Sequence, residues 1–482
     1  MSDTEAEPKQ SCTFYQKPFL ASDGVELAAA GSSIVLRDGA RKLELTIDGD
    51  LESARSLIDS LRNPEADIWK EFKSGEQNGL ADLLDKLDRF GWIREADKSG
   101  AAQFQSERND FYALRDRAVS WLRSAPIGEE ALRHFSRLAN DISTHRISFP
   151  EKIPAGISLP HDTLELLLHS WKQTSPLALQ LFASVLRDES TALDSLAITM
   201  SDRDDVSKQL WSGLVLLLLC GPSSPTGRYR EFVPRDDLSG PGLNVLVQAE
   251  GAAESLLNAM GPSSLLTLLD KGKLAKSAAV LVYLHQYFIT IRYIEAVISF
   301  LRYRLRNPLR DLGFRYLMEE YGHEIHELEA CLDLGLREDE VREFAPLPYF
   351  LAYPEVLGFI AQIDPLAFCL SVTVAEGLPG TTKPIVRALA AKGVTSPNLA
   401  AHQEIDVKLD HTLFTRRFLQ TIPWVESEVA RRSIERFLFV LELSQLCWSQ
   451  VVRYVEHARV ELVPREFDLT PAEVLSLWSE AR

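Results

Sequence analysis

Hydrophobic and polar residues follow two rhythms along this chain, and the rhythm changes near Asp110. Before it, Val25–Ala29, Ser33–Leu36 and Lys42–Ile47 are short, rich in β-branched and alternating residues, and separated by the turns SDG and RDG. That spacing predicts strands. Two helical patterns follow, Leu51–Leu61 and Leu80–Phe90, and the second runs into the phrase RFGWIRE. From Asp110 onward apolar residues recur at i, i+3 and i+4, as in ALRDRAVSWLRS, EEALRHFSRLAND and DTLELLLHSW, which predicts amphipathic helices. Breaks at SFPEKIPAGISLP, CGPSSPTG and SGPG punctuate them, and the sparsely apolar stretch Pro222–Pro241 reads as an exposed loop or lid.

Beyond Leu265 the predicted helices lengthen. Ala275–Leu305 is apolar almost all round, the mark of a central buried helix. Asp311–Leu334 comes next and stops at Gly335, in the position of a C-cap. Further helices are predicted over Pro354–Glu376, Thr382–Lys392, Ser396–Phe414 and Val425–Val460. The expected fold class is mainly α, a bundle in the C-terminal half behind a small α+β N-terminal domain. A chain of 482 residues exceeds what one core organises, and the expected domains are 1–105, a helical middle region 106–262, and a helical domain 263–482.

Composition narrows the function classes. Apolar residues at 45% and charged residues at 25% are ordinary for a globular protein. A net charge of −17 disfavours general nucleic-acid binding. The strands and helices of the N-terminal hundred residues follow the order of a winged-helix-like module, yet its helices (DLESARSLIDS, LADLLDKLDRF) are acidic, so a DNA-reading role is not expected. Five scattered cysteines without a C-x-x-C pair argue against a disulfide framework and fit a reducing cytoplasm. The polar MSDTEAEPKQ start lacks a secretory h-region, and the apolar run Leu214–Cys220 is far short of the roughly 20 residues that span a membrane. It reads as a buried helix segment.

The chemistry concentrates in the last half. In EEYGHEIHELE, Glu320 and His323 form an E-x-x-H pair, while Glu319 and His326 share an overlapping stripe of the same predicted helix. In HQEID, His402 and Asp406 are i, i+4 neighbours. Glu376 ends the very apolar run LAFCLSVTVAE, where an uncompensated carboxylate would be costly. Oxygen and imidazole ligands suit iron and manganese. Each segment alone is more simply read as a solvated helix face or helix end; their order and spacing together point to a metal site. His285, on the most apolar helix, is a haem-ligand option, though a lone core histidine is more often a hydrogen-bonded structural residue. Glu295 on the same helix reads as a paired core carboxylate or, less simply, as a group supporting a metal ligand.

The order of these segments resembles the haem-oxygenase-like dimetal oxidases, relatives of thiaminase II and pyrroloquinoline-quinone synthase. The resemblance covers about residues 265–465 and rests on LMEEYGHEIHELEACLDLGL, SVTVAEGLP and AAHQEIDVKLDH. It implies a haem-oxygenase-like bundle and an O2-dependent oxidase or oxygenase. It also implies two ions, both iron or iron with manganese, held by residues drawn from Glu320, His323, Glu376, His402, Asp406, His326 and Glu319. Two departures stand out. Leu409 occupies the position where the family pattern has a further ligand, and His411 lies on the opposite side of an ideal helix from His402. The choice between Glu319/His326 and Glu320/His323 stays open. The N-terminal layout (KPFLASDGVEL, LELTIDG, LLDKLDRFGWI) also resembles winged-helix-like peptide recognition elements, which implies a leader peptide or carrier protein bound at a sheet edge. The same domain could instead dimerise the chain.

Two functional expectations follow. The first is an oxidase or oxygenase acting by N-oxygenation, desaturation or C–C cleavage on a small-molecule or peptide-linked substrate in natural-product biosynthesis. The second is a non-catalytic helical scaffold with a degenerate metal site.

Overall fold

The computed structural model describes residues 18–20, 25–30, 33–38, 43–48, 51–62, 93–95, 100–143, 159–188, 200–261, 264–271, 275–302, 307–376, 379–391, 393–409, 413–457, 464 and 469–479. The chain is mainly helical. By contacts it divides into two compact units, one of Met1–Ser120, Ala139–Ser148 and Lys172–Ser207, the other of Trp121–Leu138, Phe149–Trp171 and Lys208–Arg482.

The first unit begins with strands β1 (Pro18–Leu20), β2 (Val25–Ala30), β3 (Ser33–Asp38) and β4 (Leu43–Asp48), then helix α1 (Leu51–Leu61) and strand β5 (Ile93–Glu95). The period-2 segments pair as an antiparallel meander β2-β3-β4, with Val25 opposite Asp38 and Ser33 opposite Asp48. The end of the RFGWIRE phrase is β5, which pairs antiparallel with β1. The second predicted helix, Leu80–Phe90, lies outside the described residues. Later in the chain come α2 (Gly100–Ser124), α3 (Glu129–Ser143), α4 (Leu159–Thr174), α5 (Pro176–Arg187) and α6 (Met200–Leu219). Within the first unit Arg115 of α2 is buried and donates to Ser184 of α5 at 3.2 Å, with Asp188 at 3.5 Å as an ion-pair partner.

The second unit holds the two longest helices, of 26 and 31 residues. After α6 the chain forms α7 (Gly242–Met260), α8 (Ser264–Asp270), α9 (Lys276–Leu301), α10 (Leu309–Glu320) and α11 (His323–Asp333). Next come α12 (Glu338–Glu343), α13 (Pro348–Ile363), α14 (Pro365–Glu376) and α15 (Pro379–Ala390). The last elements are α16 (Asn398–Leu409), α17 (Phe414–Gln420), α18 (Ser427–His457) and α19 (Pro471–Ser479). The all-round apolar α9 is central as its composition demands, packing against α10, α11, α13, α15 and α18. Leu214–Leu219 of α6 are all buried, as expected of that apolar run.

Two predicted helices turn out to be broken. Asp311–Leu334 splits at Tyr321 and Gly322, where the glycine has φ +94°, a value only glycine adopts readily. Its far end closes as foreseen. Gly335 at φ +98° donates to Leu332 and Leu336 to Cys331, the two bonds of a Schellman cap. Pro354–Glu376 splits at Asp364, whose carboxylate caps α14 by accepting from the Ala367 N–H at 2.9 Å. Proline at the first position of α14 starts a new helix better than it continues an old one. Asp364 also accepts from Ser433 and Arg436 of α18, at 2.9 and 2.8 Å.

The stretch Pro222–Pro241 is not a free lid. It contains a 3-10 turn, Arg228–Phe232, and Tyr229 and Leu238 within it are buried. Glu442 of α18, fully buried, accepts from the backbone N–H groups of Gly227, Arg228 and Tyr229 at 2.9, 3.2 and 3.5 Å. Further along, Ser427 caps the Leu238 N–H at 2.9 Å, and Gly240 bridges to Val425. Apolar content was low because bonds to the backbone do much to hold this segment down, beside the buried Tyr229 and Leu238.

Candidate metal centre

Glu320 is the last residue of α10 and His323 the first of α11, so the Tyr321–Gly322 turn sets where His323 lies relative to Glu320. Both are 3% exposed, and so is Glu327, one turn further along α11. The imidazole Nδ1 of His323 lies 3.5 Å from Glu320 Oε2. Glu319, by contrast, binds Arg315 at 2.5 Å, and His326 is only half-buried. Of the two overlapping pairs read from the sequence, the corner therefore buries Glu320 with His323.

The helix facing this corner is α16, which carries His402 and Asp406 and packs against α11. Its start is fixed twice. Asp333 at the end of α11 accepts from Ser396 and, at 2.8 Å, from the Asn398 side chain. Tyr283 of α9 donates to the Leu399 carbonyl at 2.6 Å. Since α16 starts beside the end of α11 and packs along it, the two run antiparallel. At about 1.5 Å per residue, the backbones of His402 and Asp406 are level with the stretch of α11 that holds Glu327 and His323. The side chains of His402, Asp406 and Glu376 lie outside the described residues, as does His411 altogether. Glu376 closes α14, which packs against α13, α17 and α18. Burial raises the Tyr283 phenol far above its usual range, and the Glu327 and Cys331 charges raise it further.

Glu327 was not singled out in the sequence, although Glu320, His323 and Glu327 fall at i, i+3 and i+7. The many carboxylates of EEYGHEIHELE concealed that stripe. The haem option for His285 does not hold. Its Nδ1 sits 2.6 Å from the Leu281 carbonyl, and its Nε2 accepts from the Leu347 N–H at 2.9 Å, so both nitrogens are used. Burial lowers its pKa to about 4. Nor is Glu295 a core carboxylate. It is exposed and paired with Arg292, whose other partner, Glu355, is the more buried acid.

A second cluster was not foreseen. His134 of α3, together with His161 and Glu165 of α4, present ligand atoms that all lie within 4.8 Å of one another. The two imidazole rings are 4.7 Å apart, and the fully buried Phe135 packs on both. Burial, and secondarily His134, lowers the His161 pKa to about 4. The H-x-x-x-E spacing on α4 was visible in the sequence; its convergence with a histidine of another helix was not.

The four cysteines within the described residues are unpaired thiols, and burial raises the pKa of each. Among the described residues, no helix is long and apolar enough to cross a membrane. No protein-family model matches this chain, and no curated protein matches it. Among solved structures it is similar to a domain of unknown function with a heme oxygenase-like fold from Shewanella denitrificans OS217. The match has 19% identity and a TM-score of 0.38, and covers 44% of this chain and 93% of that one.

Proposed function

We propose that the second unit is a non-haem di-iron oxidase or oxygenase with a haem-oxygenase-like bundle, using O2 to tailor a small-molecule or peptide-linked substrate. The observation that carries this reading is the joint burial of Glu320, His323 and Glu327 at the α10–α11 corner, against the helix that bears His402 and Asp406. Carboxylates this buried need their charge balanced, and a bound metal ion is one way to supply that. The 3.5 Å between His323 and Glu320 is long for a hydrogen bond. It is close to the roughly 3–3.4 Å between neighbouring ligands of one ion with bonds of about 2.1 Å. A carboxylate–imidazole donor set fits iron or manganese.

In this reading Glu320, His323, His402 and Asp406 hold the ions. Glu327 joins them, Glu376 adds a carboxylate, and Glu319 and His326 stay outside the ligand set. Bound iron would supply the activation of O2. The chain's own residues orient and exclude: Tyr283 and Asp333 set α16 against α11, and the apolar face of α9 keeps bulk water from the corner. The outcome would be N-oxygenation, desaturation or C–C cleavage. The β2-β3-β4 sheet has β2 and β4 at its edges, and an edge can take an added strand from a leader peptide or carrier protein.

Metal analysis of anaerobically purified protein tests the reading. About two equivalents of iron are expected, falling in His323→Ala, His402→Ala and Asp406→Ala with helicity unchanged. Glu376→Gln should lose oxygen consumption while keeping the fold. Full iron occupancy in the histidine and aspartate variants would sink the ligand assignment. Protein that takes up no iron after supplementation would leave a scaffold.

A further inference from the structure

We propose that His134, His161 and Glu165 form a second metal site, built on α3 and α4 and separate from the α10–α11 corner, that takes one divalent first-row transition ion of the zinc class. Three donors of the right types converge, with ligand atoms no more than 4.8 Å apart. Ligands around a single ion at about 2.0–2.2 Å stand roughly 3.4 Å apart in a tetrahedron, so small side-chain rotations close the site.

The imidazole atoms point to a ligand independently of that convergence. His134 Nε2 and His161 Nδ1 are both shielded from solvent, and neither has a hydrogen-bond partner. Leaving a buried polar atom unmade costs about 1–3 kcal/mol, and two such nitrogens on adjacent rings double the cost. A metal ion satisfies both at once in the tautomer that turns each nitrogen's lone pair toward it. Phe135, packed against both rings at centroid distances of 4.9 and 4.7 Å, holds them in place.

Two histidines and one carboxylate are three protein ligands, not the four of a closed structural site. All three residues are half-buried, and three protein ligands leave a coordination position for water or an exogenous ligand. The site is therefore of the open, exchangeable kind, and its ion also bridges α3 to α4.

Cobalt, a coloured stand-in for zinc, gives the direct test on the full-length protein after chelation and dialysis. Wild type should bind Co2+ at this site with a visible spectrum that Zn2+ abolishes. Glu165→Gln and His134→Ala should each lower affinity at least tenfold. His323→Ala, which touches only the other cluster, should leave this signal intact. A second measurement needs no variant: in wild type, Zn2+ should protect His134 and His161 from carbethoxylation, read by mass spectrometry. The proposal is overturned if Co2+ binding is equal in Glu165→Gln and wild type, if it disappears with His323→Ala alone, or if Zn2+ leaves both histidines equally reactive.

Discussion

At the scale of single residues, burial decides which of many ionisable groups matter. His285 is fully buried and neutral, and its pKa of about 4 lies below the usual 6.5. As pH falls through 6.5 the unfolded chain takes a proton at this imidazole and the folded chain does not. Stability is therefore lost progressively between about pH 6.5 and pH 4, by roughly 3 kcal/mol from this group alone. Urea unfolding across that window should show the slope, and His285→Gln should flatten it; an unchanged slope would mean the titrating group lies elsewhere. Gly322 makes the second case. A Cβ there would meet nothing nearer than Ile325 at 4.0 Å, so Gly322→Ala should cost about 1–2 kcal/mol through its positive φ and not through a clash. If this turn aims Glu320 and His323, the variant should lose iron as well as thermal stability; lost stability with full iron would free the centre from the turn. The sequence made these residues visible as candidates but could not choose between Glu319 and Glu320. Both fit an unbroken helix, and the choice depends on which side of α10 packs inward: Glu320 is buried, while Glu319 pairs with Arg315.

Elements were more legible than residues, and the failures share a cause. Hydrophobic pattern alone reproduces α1, α9 and α18 closely, because long apolar faces, or an all-round apolar run as in α9, must be buried. It misses breaks where a polar group rewards the interruption, as Asp364 does by capping α14 and binding Arg436. It also misread Pro222–Pro241, since backbone groups anchored by a distant carboxylate leave no periodic trace. Glu442 sits 215 residues from Gly227 in sequence, and burial raises its pKa against the lowering effect of the N–H bonds it accepts. Glu442→Ala should strand those N–H groups and cost about 3 kcal/mol. Trypsin should then cut near Arg228, Arg230 and Arg235 well before the helices yield. Cleavage no faster than in wild type would show that Ser427 and the Gly240–Val425 bridge suffice to hold the strap.

At the scale of the whole molecule, the question is whether recognition and chemistry divide between the ends of the chain. The N-terminal hundred residues contain no histidine, and the residues of both proposed metal sites belong to the second unit. A chain beginning at Asp110 keeps Arg115 and its Ser184 and Asp188 partners, so the part of α2 that ties to α5 survives the cut. Iron binding at the α10–α11 corner and Co2+ binding at His134, His161 and Glu165 should both persist in it. What should be lost is affinity for a peptide-linked or carrier-borne substrate, because the β2-β3-β4 sheet and its edges are gone. Titrating the full-length and shortened chains with one such substrate separates the outcomes. Equal affinities would remove the recognition role and leave the sheet as a structural or dimerisation element. Loss of iron on truncation would instead show that the helical part of the chain cannot fold without residues 1–109, and the boundary near Asp110 would be wrong.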